Sequence, residues 1–265
     1  MTAVPAFSML GDGPTVLMLH GIGGGHDAFA PQLEALGCQG YRAVSWDMPG
    51  YGRSAPVEPY TFKALAASCV ALIEALKVSQ VVLVGHSMGG MVAQEVAVRR
   101  PDLVSRLVLA GTSSAFGNGD GAWQREFVAE RTAPLDAGRS MEQLAEVLVP
   151  QMIGPGASPE GAALAQRCMG AVPAATYRKA LEALVTFDRR SALERIGVPT
   201  LLVAAEFDKS APPALMRRMA QKIAGSSLVE LPRVGHLMPL EAPEAFSDVL
   251  LKFIRKRAVA GVLPA

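Results

Sequence analysis

Four aliphatic residues, Val81-Val82-Leu83-Val84, run straight into Gly85-His86-Ser87-Met88-Gly89-Gly90, and the stretch over 91–100, closed by Pro101, reads as a helix. A buried strand, a sharp turn and a helix in that order constrain the chain more than any other feature. The turn must be tight enough that only small residues flank its apex, and the apex side chain is then strained outward at the end of a parallel sheet. Ser87 occupies that apex and is the candidate nucleophile.

The rest of the chain supplies the sheet. Thr15-Val16-Leu17-Met18-Leu19 is a continuous apolar run, as expected of a strand buried on both faces. A short helix is expected over 31–36 and a second strand over 41–46, ending in the turn Asp47-Met48-Pro49-Gly50-Tyr51-Gly52-Arg53-Ser54. Thr61 resembles a helix cap before a helix over 62–76, in which Leu65, Cys69, Leu72 and Leu76 recur at helical spacing. Leu107-Val108-Leu109-Ala110 is a further strand, and the alternation defines an α/β fold with a mostly parallel central sheet flanked by helices. Beyond Gly111 the pattern changes: helical stretches over 122–131, 141–149, 160–169 and 174–187 follow with no strand among them. Strand patterns return over 199–205 and 227–231. The expected organisation is therefore a core over 1–114 and 196–265, with a helical cap over 115–195 inserted between two late strands. The only sequence before the Thr15 strand that could add a strand to the sheet is 6–10, so a first strand is expected to be short or missing.

With 265 residues the chain can bury a full core. Lysine plus arginine, 25, balance aspartate plus glutamate, 24, so nothing in the charge favours nucleic acid or an anionic membrane. Cys38, Cys69 and Cys168 are far apart and odd in number, and read as reduced core residues of a cytoplasmic protein. No basic segment precedes an apolar run at the start, no stretch approaches a membrane span, and 258–265 reads as a loosely held end. A small-molecule substrate is the expected partner, and the oligomeric state is open.

A serine hydroxyl is a poor nucleophile near neutral pH, so Ser87 needs a base, and the base needs an acid to orient it. Only four histidines are available. His20 and His26 belong to the loop His20-Gly21-Ile22-Gly23-Gly24-Gly25, and His86 adjoins Ser87 with its side chain directed away from the apex. His236, just past the 227–231 strand, is the candidate base. The acid should follow a strand and precede the histidine; Asp208 after the 199–205 strand fits, with Glu206 as the fallback. An oxyanion would be met by backbone N–H groups, each worth about 3 kcal/mol, and Met88 and Ile22 are the candidates. The glycine loop is not a dinucleotide loop, because starting the motif at Gly21 puts His26 where its last glycine belongs, and no Gly-Lys-Ser/Thr follows. No cofactor or metal is expected.

His20-Gly21, the turn over 47–54, Gly85 to Gly90, Pro199 through Asp208 and Gly235-His236, in this order, resemble the α/β-hydrolase fold superfamily over nearly the whole chain outside the helical segment. The resemblance implies a helical cap over the site and cofactor-free ester or lactone hydrolysis through an acyl-enzyme. Serine at 87 argues against dehalogenases and epoxide hydrolases, which use aspartate there. Residues 187–190, 196–200 and 240–244 are similar to bacterial carboxylesterases and 3-oxoadipate enol-lactonases. Carbon–carbon bond hydrolases of meta-cleavage pathways share Ser87 to Gly90, but they usually carry Gly-Pro-Gly in the oxyanion loop and tryptophan after the base, where this chain has Gly23-Gly24-Gly25 and Leu237. A ligand receptor on the same fold is the alternative outside catalysis. Candidate pocket residues are His20, Gly21, Trp123, Phe127, Met152 and Leu237, with Phe116, Met141 and Met169 as further apolar candidates. Arg125, Arg131 and Arg139 are the side chains that could pair with a substrate carboxylate.

Overall fold

In the computed structural model, which describes residues 3–117 and 121–256, seven strands form one sheet in the order β1-β3-β2-β4-β5-β6-β7. The strands are β1 Phe7–Leu10, β2 Thr15–Leu19, β3 Arg42–Trp46, β4 Val81–His86, β5 Val104–Ala110, β6 Thr200–Ala205 and β7 Ser227–Leu231. All pair in parallel except β1, which runs antiparallel on β3 at one edge. The short first strand thus forms, and the chain over 258–265 lies outside the described residues.

Alternate residues of each inner strand face opposite layers, as strand geometry requires. Leu17, Leu19 and Leu83 pack on one face with Leu65, Cys69 and Leu72 of α2 (Phe62–Ala75) and Val92 and Val96 of α3 (Met88–Arg99). Val16, Met18 and Val84 pack on the other with Leu36 of α1 (Ala30–Gly37) and Phe246 and Leu250 of α10 (Pro243–Arg255). Each such fully buried side chain contributes roughly 1.5–3 kcal/mol of transfer free energy. α10 and α8 (Pro213–Lys222) were legible but unassigned in the sequence: both open on proline, and Phe246, Leu250 and Phe253 recur at helical spacing.

Among the described residues four α-helices lie between β5 and β6: α4 Ala122–Asp136, α5 Met141–Met152, α6 Pro159–Gly170 and α7 Ala174–Leu184. α4 and α5 run past the limits expected at Arg131 and Val149, because Pro134 and Pro150 sit inside their last turns, where each forfeits only one helical bond. Ser140 and Gln143 form a reciprocal capping box that starts α5. The two ends of this segment meet in a bridge between Ala115 and Asp188. α6 packs on the turn His26–Phe29 and on α9 (Met238–Glu241), beside the carboxyl ends of the strands. Cys69 and Cys168 are buried and free; Cys38 departs from the expected core placement, being exposed where α1 ends. Among the described residues no helix is long and apolar enough to cross a membrane.

Candidate active site

Ser87 sits between β4 and α3 with φ +53° and ψ −121°, a conformation costly for any residue with a Cβ. The bend is held by Ser87 N–H donating to the Ala110 carbonyl at 2.9 Å and by Thr112 Oγ1 donating to the Ser87 carbonyl at 2.7 Å. Gly89 is required by close approach: a Cβ there would lie 2.0 Å from the Leu19 carbonyl oxygen. α3 begins at Met88, immediately after the apex rather than at Met91, so its first N–H groups face the end of the sheet.

His236 follows β7 and reaches back to the elbow. Ser87 Oγ lies 3.0 Å from His236 Nε2, and His236 Nδ1 lies 2.8 Å from Asp208 Oδ2. Asp208 Oδ1 accepts from the backbone of Ser210 and Ala211, both at 2.8 Å, which fixes the carboxylate and gives His236 Nδ1 the proton. Burial pushes the Asp208 carboxyl upward, but the facing His236 and the hydrogen bonds outweigh it and hold the group below the usual carboxylate range. For His236 burial acts downward, and the charge and hydrogen bond of Asp208, with Glu241 behind, raise it above the ordinary imidazole value. Ser87 Oγ can therefore pass its proton to a neutral Nε2, and the resulting imidazolium has a buried anion at its other nitrogen. Glu206 does not compete with Asp208: its carboxylate accepts the Arg233 N–H at 2.7 Å and caps the turn before His236.

The glycine loop lies across the elbow. A Cβ on Gly21 would come 2.9 Å from Ser87 Cβ, so this position must be bare. His20 is wholly buried behind the loop, contrary to its expected place in the pocket wall. Its Nδ1–H donates to the Gly21 carbonyl at 2.8 Å, and its Nε2 accepts the Met48 N–H at 3.0 Å. Burial lowers its pKa to about 4, so the ring is neutral, and it locks the plane of the Gly21–Ile22 peptide. Tyr51 Oη donates to the Ile22 carbonyl at 2.9 Å from the other side. The N–H groups of Ile22 and Met88 make no hydrogen bond among the described residues.

A cavity opens onto Ser87 and His236. Gly21, Ile22, Met152 and Leu237 line it, together with Met169, Cys168 and Leu240. Among the described residues no aspartate, glutamate, lysine or arginine does. Trp123 and Phe127, both on α4, belong elsewhere: with Phe116, which precedes that helix, they form a three-ring cluster, centroids 4.7–5.5 Å apart, leaving Trp123 49% exposed. The helical phase of α4 sends these rings to one another. Arg131 lies over the Phe127 ring at 3.5 Å, and neither it nor Arg125 nor Arg139 lines the cavity. Met141 is buried in the core.

The sequence reading set His86 aside and assigned Glu241 no role. His86 is buried, and its Nε2–H donates to the His236 carbonyl at 2.7 Å, with burial and the neighbouring His236 lowering its pKa to about 3. Its position beside Ser87 was visible; its partner 150 residues away was not. Glu241 is buried under the His236 loop.

The model of the alpha/beta hydrolase fold family matches residues 14–243, and the chain belongs to that family. Hydrolase is the coarse activity that family and site support together. A protein of Caulobacter sp. (strain K31) that carries the provisional name carbamate hydrolase RutD is 30% identical over 93% of this chain and 92% of its own. A Mycobacterium tuberculosis protein provisionally named non-heme bromoperoxidase BpoC is 30% identical over 94% and 96%. The crystal structure of the enol-lactonase from Burkholderia xenovorans LB400 superposes with a TM-score of 0.85 at 26% identity, covering 95% of this chain and 96% of that one.

Proposed function

We propose that the protein hydrolyses a small, uncharged carboxylic ester or lactone through an acyl-enzyme. Ser87 Oγ attacks the carbonyl carbon while His236 Nε2 takes its proton, and Asp208 holds and stabilises the imidazolium. The N–H groups of Met88 and Ile22 donate to the tetrahedral oxyanion. The intermediate collapses as His236 protonates the leaving alkoxide; His236 then activates a water that attacks the acyl carbonyl, releasing the acid and restoring Ser87. The segment over 115–195 acts as a cap between the two parts of the core, 1–114 and 196–265, and supplies Met152, Cys168 and Met169 to the acyl pocket. The enzyme works in the cytoplasm, a reading supported by the buried free thiols of Cys69 and Cys168.

The observation that carries this reading is the unbroken relay from Ser87 through His236 to Asp208 at the wall of an apolar cavity. The relatives' names differ in chemistry, so the substrate class rests on the cavity. Among the described residues no lysine or arginine lines it, which favours a neutral substrate over a dicarboxylate lactone, because a buried carboxylate without a partner is costly. The test is intact-protein mass after brief exposure to an activated organophosphate, for wild type and Ser87→Ala, followed by p-nitrophenyl esters of increasing chain length and the p-nitrophenyl hemisuccinate. One adduct on wild type alone, with butyrate cleaved at least about tenfold faster than hemisuccinate, is expected; an equal adduct on Ser87→Ala would remove the nucleophile.

A further inference from the structure

His236 is held by more than Asp208. Glu241, on α9 and 2% exposed, accepts three backbone hydrogen bonds with its two carboxylate oxygens. Oε2 takes the N–H groups of Gly235 at 2.8 Å and Gly154 at 2.7 Å, and Oε1 takes that of Leu237 at 2.6 Å. Gly235 and Leu237 flank His236 on either side, and Gly154 lies between α5 and α6. One carboxylate therefore grips the base loop before and after the imidazole and ties it to the helical segment. The loop and the segment touch backbone to backbone: a Cβ on Gly235 would lie 2.4 Å from the Met152 carbonyl oxygen, and one on Gly154 2.7 Å from the Gly235 nitrogen. His236 N–H donates to the same Met152 carbonyl at 2.7 Å, and the His236 carbonyl accepts from His86.

Burial pushes the Glu241 carboxyl above the usual carboxylate range, while the three N–H donors and His236 pull it back toward the anion; an anion this close to the imidazole also acts on its charge. The titratable groups facing His236 are Asp208, Glu241, neutral His86 and Ser87. Around Glu241, the packed elements carry Glu34 on α1, Glu160, Arg167 and buried Cys168 on α6, Glu244, Asp248, Lys252 and Arg255 on α10, and His26 and Asp27 on the preceding turn. Of all these, the ring of His236 is the titratable group whose charge acts on Glu241.

We propose that Glu241 is the positioning carboxylate of His236: a second buried anion that sets the base loop against the helical segment and, with Asp208, supports the imidazolium. The inference rests on His236 being the base. Glu241 touches no substrate and works through the residue it holds.

Glu241→Gln keeps the shape but turns one acceptor oxygen into an NH2 group facing an amide donor. The test is the pH profile of kcat/KM with p-nitrophenyl acetate, together with NMR titration of the His236 ring, in wild type and Glu241→Gln. kcat should fall about 10- to 100-fold with KM little changed, as displacement of a reacting group predicts. The acid limb and the ring titration should both move to lower pH by about half a unit or more, because an anion that favoured the imidazolium is gone. A folded variant whose limb and ring titration coincide with wild type overturns the proposal, since a scaffold role alone would lower kcat without moving either. Should Glu241→Gln not fold, wild-type NMR decides: the Gly154, Gly235 and Leu237 amide signals should shift together with one carboxyl titration that also inflects the His236 ring, and independent shifts overturn the proposal. The NMR readouts need no turnover, so inactivity toward every ester would count against the proposed function while leaving the Glu241–His236 coupling measurable.

Discussion

Replacing Gly21 by alanine tests the site at its tightest point. Gly21 has no left-handed backbone angle, so alanine brings no conformational strain, and the whole effect is one methyl group. That methyl would sit 2.9 Å from Ser87 Cβ, 3.4 Å from Ser87 Oγ and 3.5 Å from His86 Nδ1. Ordinary contact begins near 3.4 Å, so the loop or the serine must give by about 0.5 Å. Ser87 is pinned by two hydrogen bonds at its backbone, one from its own N–H at 2.9 Å and one from Thr112 Oγ1 at 2.7 Å, so the loop moves, carrying the Ile22 N–H with it. Loss of one oxyanion donor costs about 10²- to 10³-fold in kcat, roughly 2.7–4 kcal/mol, and a displacement of half an ångström takes most of the lower figure. The expected outcome is a fall of about 50- to 100-fold in kcat/KM for p-nitrophenyl acetate. Overpacking costs about 1–3 kcal/mol of stability, and Tm falls by roughly 2–4 °C for each. Steady-state kinetics with a thermal melt on the same sample measures both. A variant within threefold of wild type would refute the claim that Gly21 bears directly on the nucleophile.

Asp208→Asn should lower kcat by about 10⁴-fold while the protein remains folded, because the amide no longer selects the Nδ1–H tautomer; a loss under tenfold in steady-state assays would contradict the assigned acid. Met169→Ala should shift the chain-length optimum of p-nitrophenyl esters upward by about two to four carbons, since Met169 lines the cavity packed against Gly23, and cost about 2–5 kcal/mol in urea unfolding. Stability should also fall with acid. His20 and His86, with folded pKa values of about 4 and about 3, take up protons only on unfolding below the ordinary value of 6.5, so each withdraws up to about 1.4 kcal/mol per pH unit as pH drops from 6.5 toward 4. His236, raised, acts oppositely, its contribution being present below 6.5 and lost as pH rises through its folded value. Urea midpoints at pH 7, 6 and 5 should fall in wild type and fall less steeply in His86→Phe; parallel curves would refute the buried neutral state.

The elbow was legible because everything it needs is contiguous: an apolar strand, small residues at the bend, a helix beyond. His236 emerged from four histidines by chain order, and Asp208 by its place after a buried strand. The pocket was legible only in part. Met152 and Leu237 line the cavity, whereas Trp123 and Phe127 do not, because nothing local tells which face of α4 meets the elbow and which closes on Phe116. Glu241 between Leu240 and Ala242 gave one local hint, a carboxylate amid apolar neighbours one turn after His236; its tie to the helical segment gave none, since Gly154 stands 87 residues away.

The sequence by itself determined the α/β class and the order of elements, and it singled out Ser87, Asp208 and His236 as the candidate trio. These follow from apolar periodicity and turn chemistry, which act between residues near one another along the chain. The tertiary structure alone decided which side chains exclude water around Ser87, that His20 and His86 are neutral struts, and that Glu241 joins the base loop to α5 and α6. Those properties are set by burial and by backbone contacts across 80 to 150 residues, where direction and distance depend on how every layer packs.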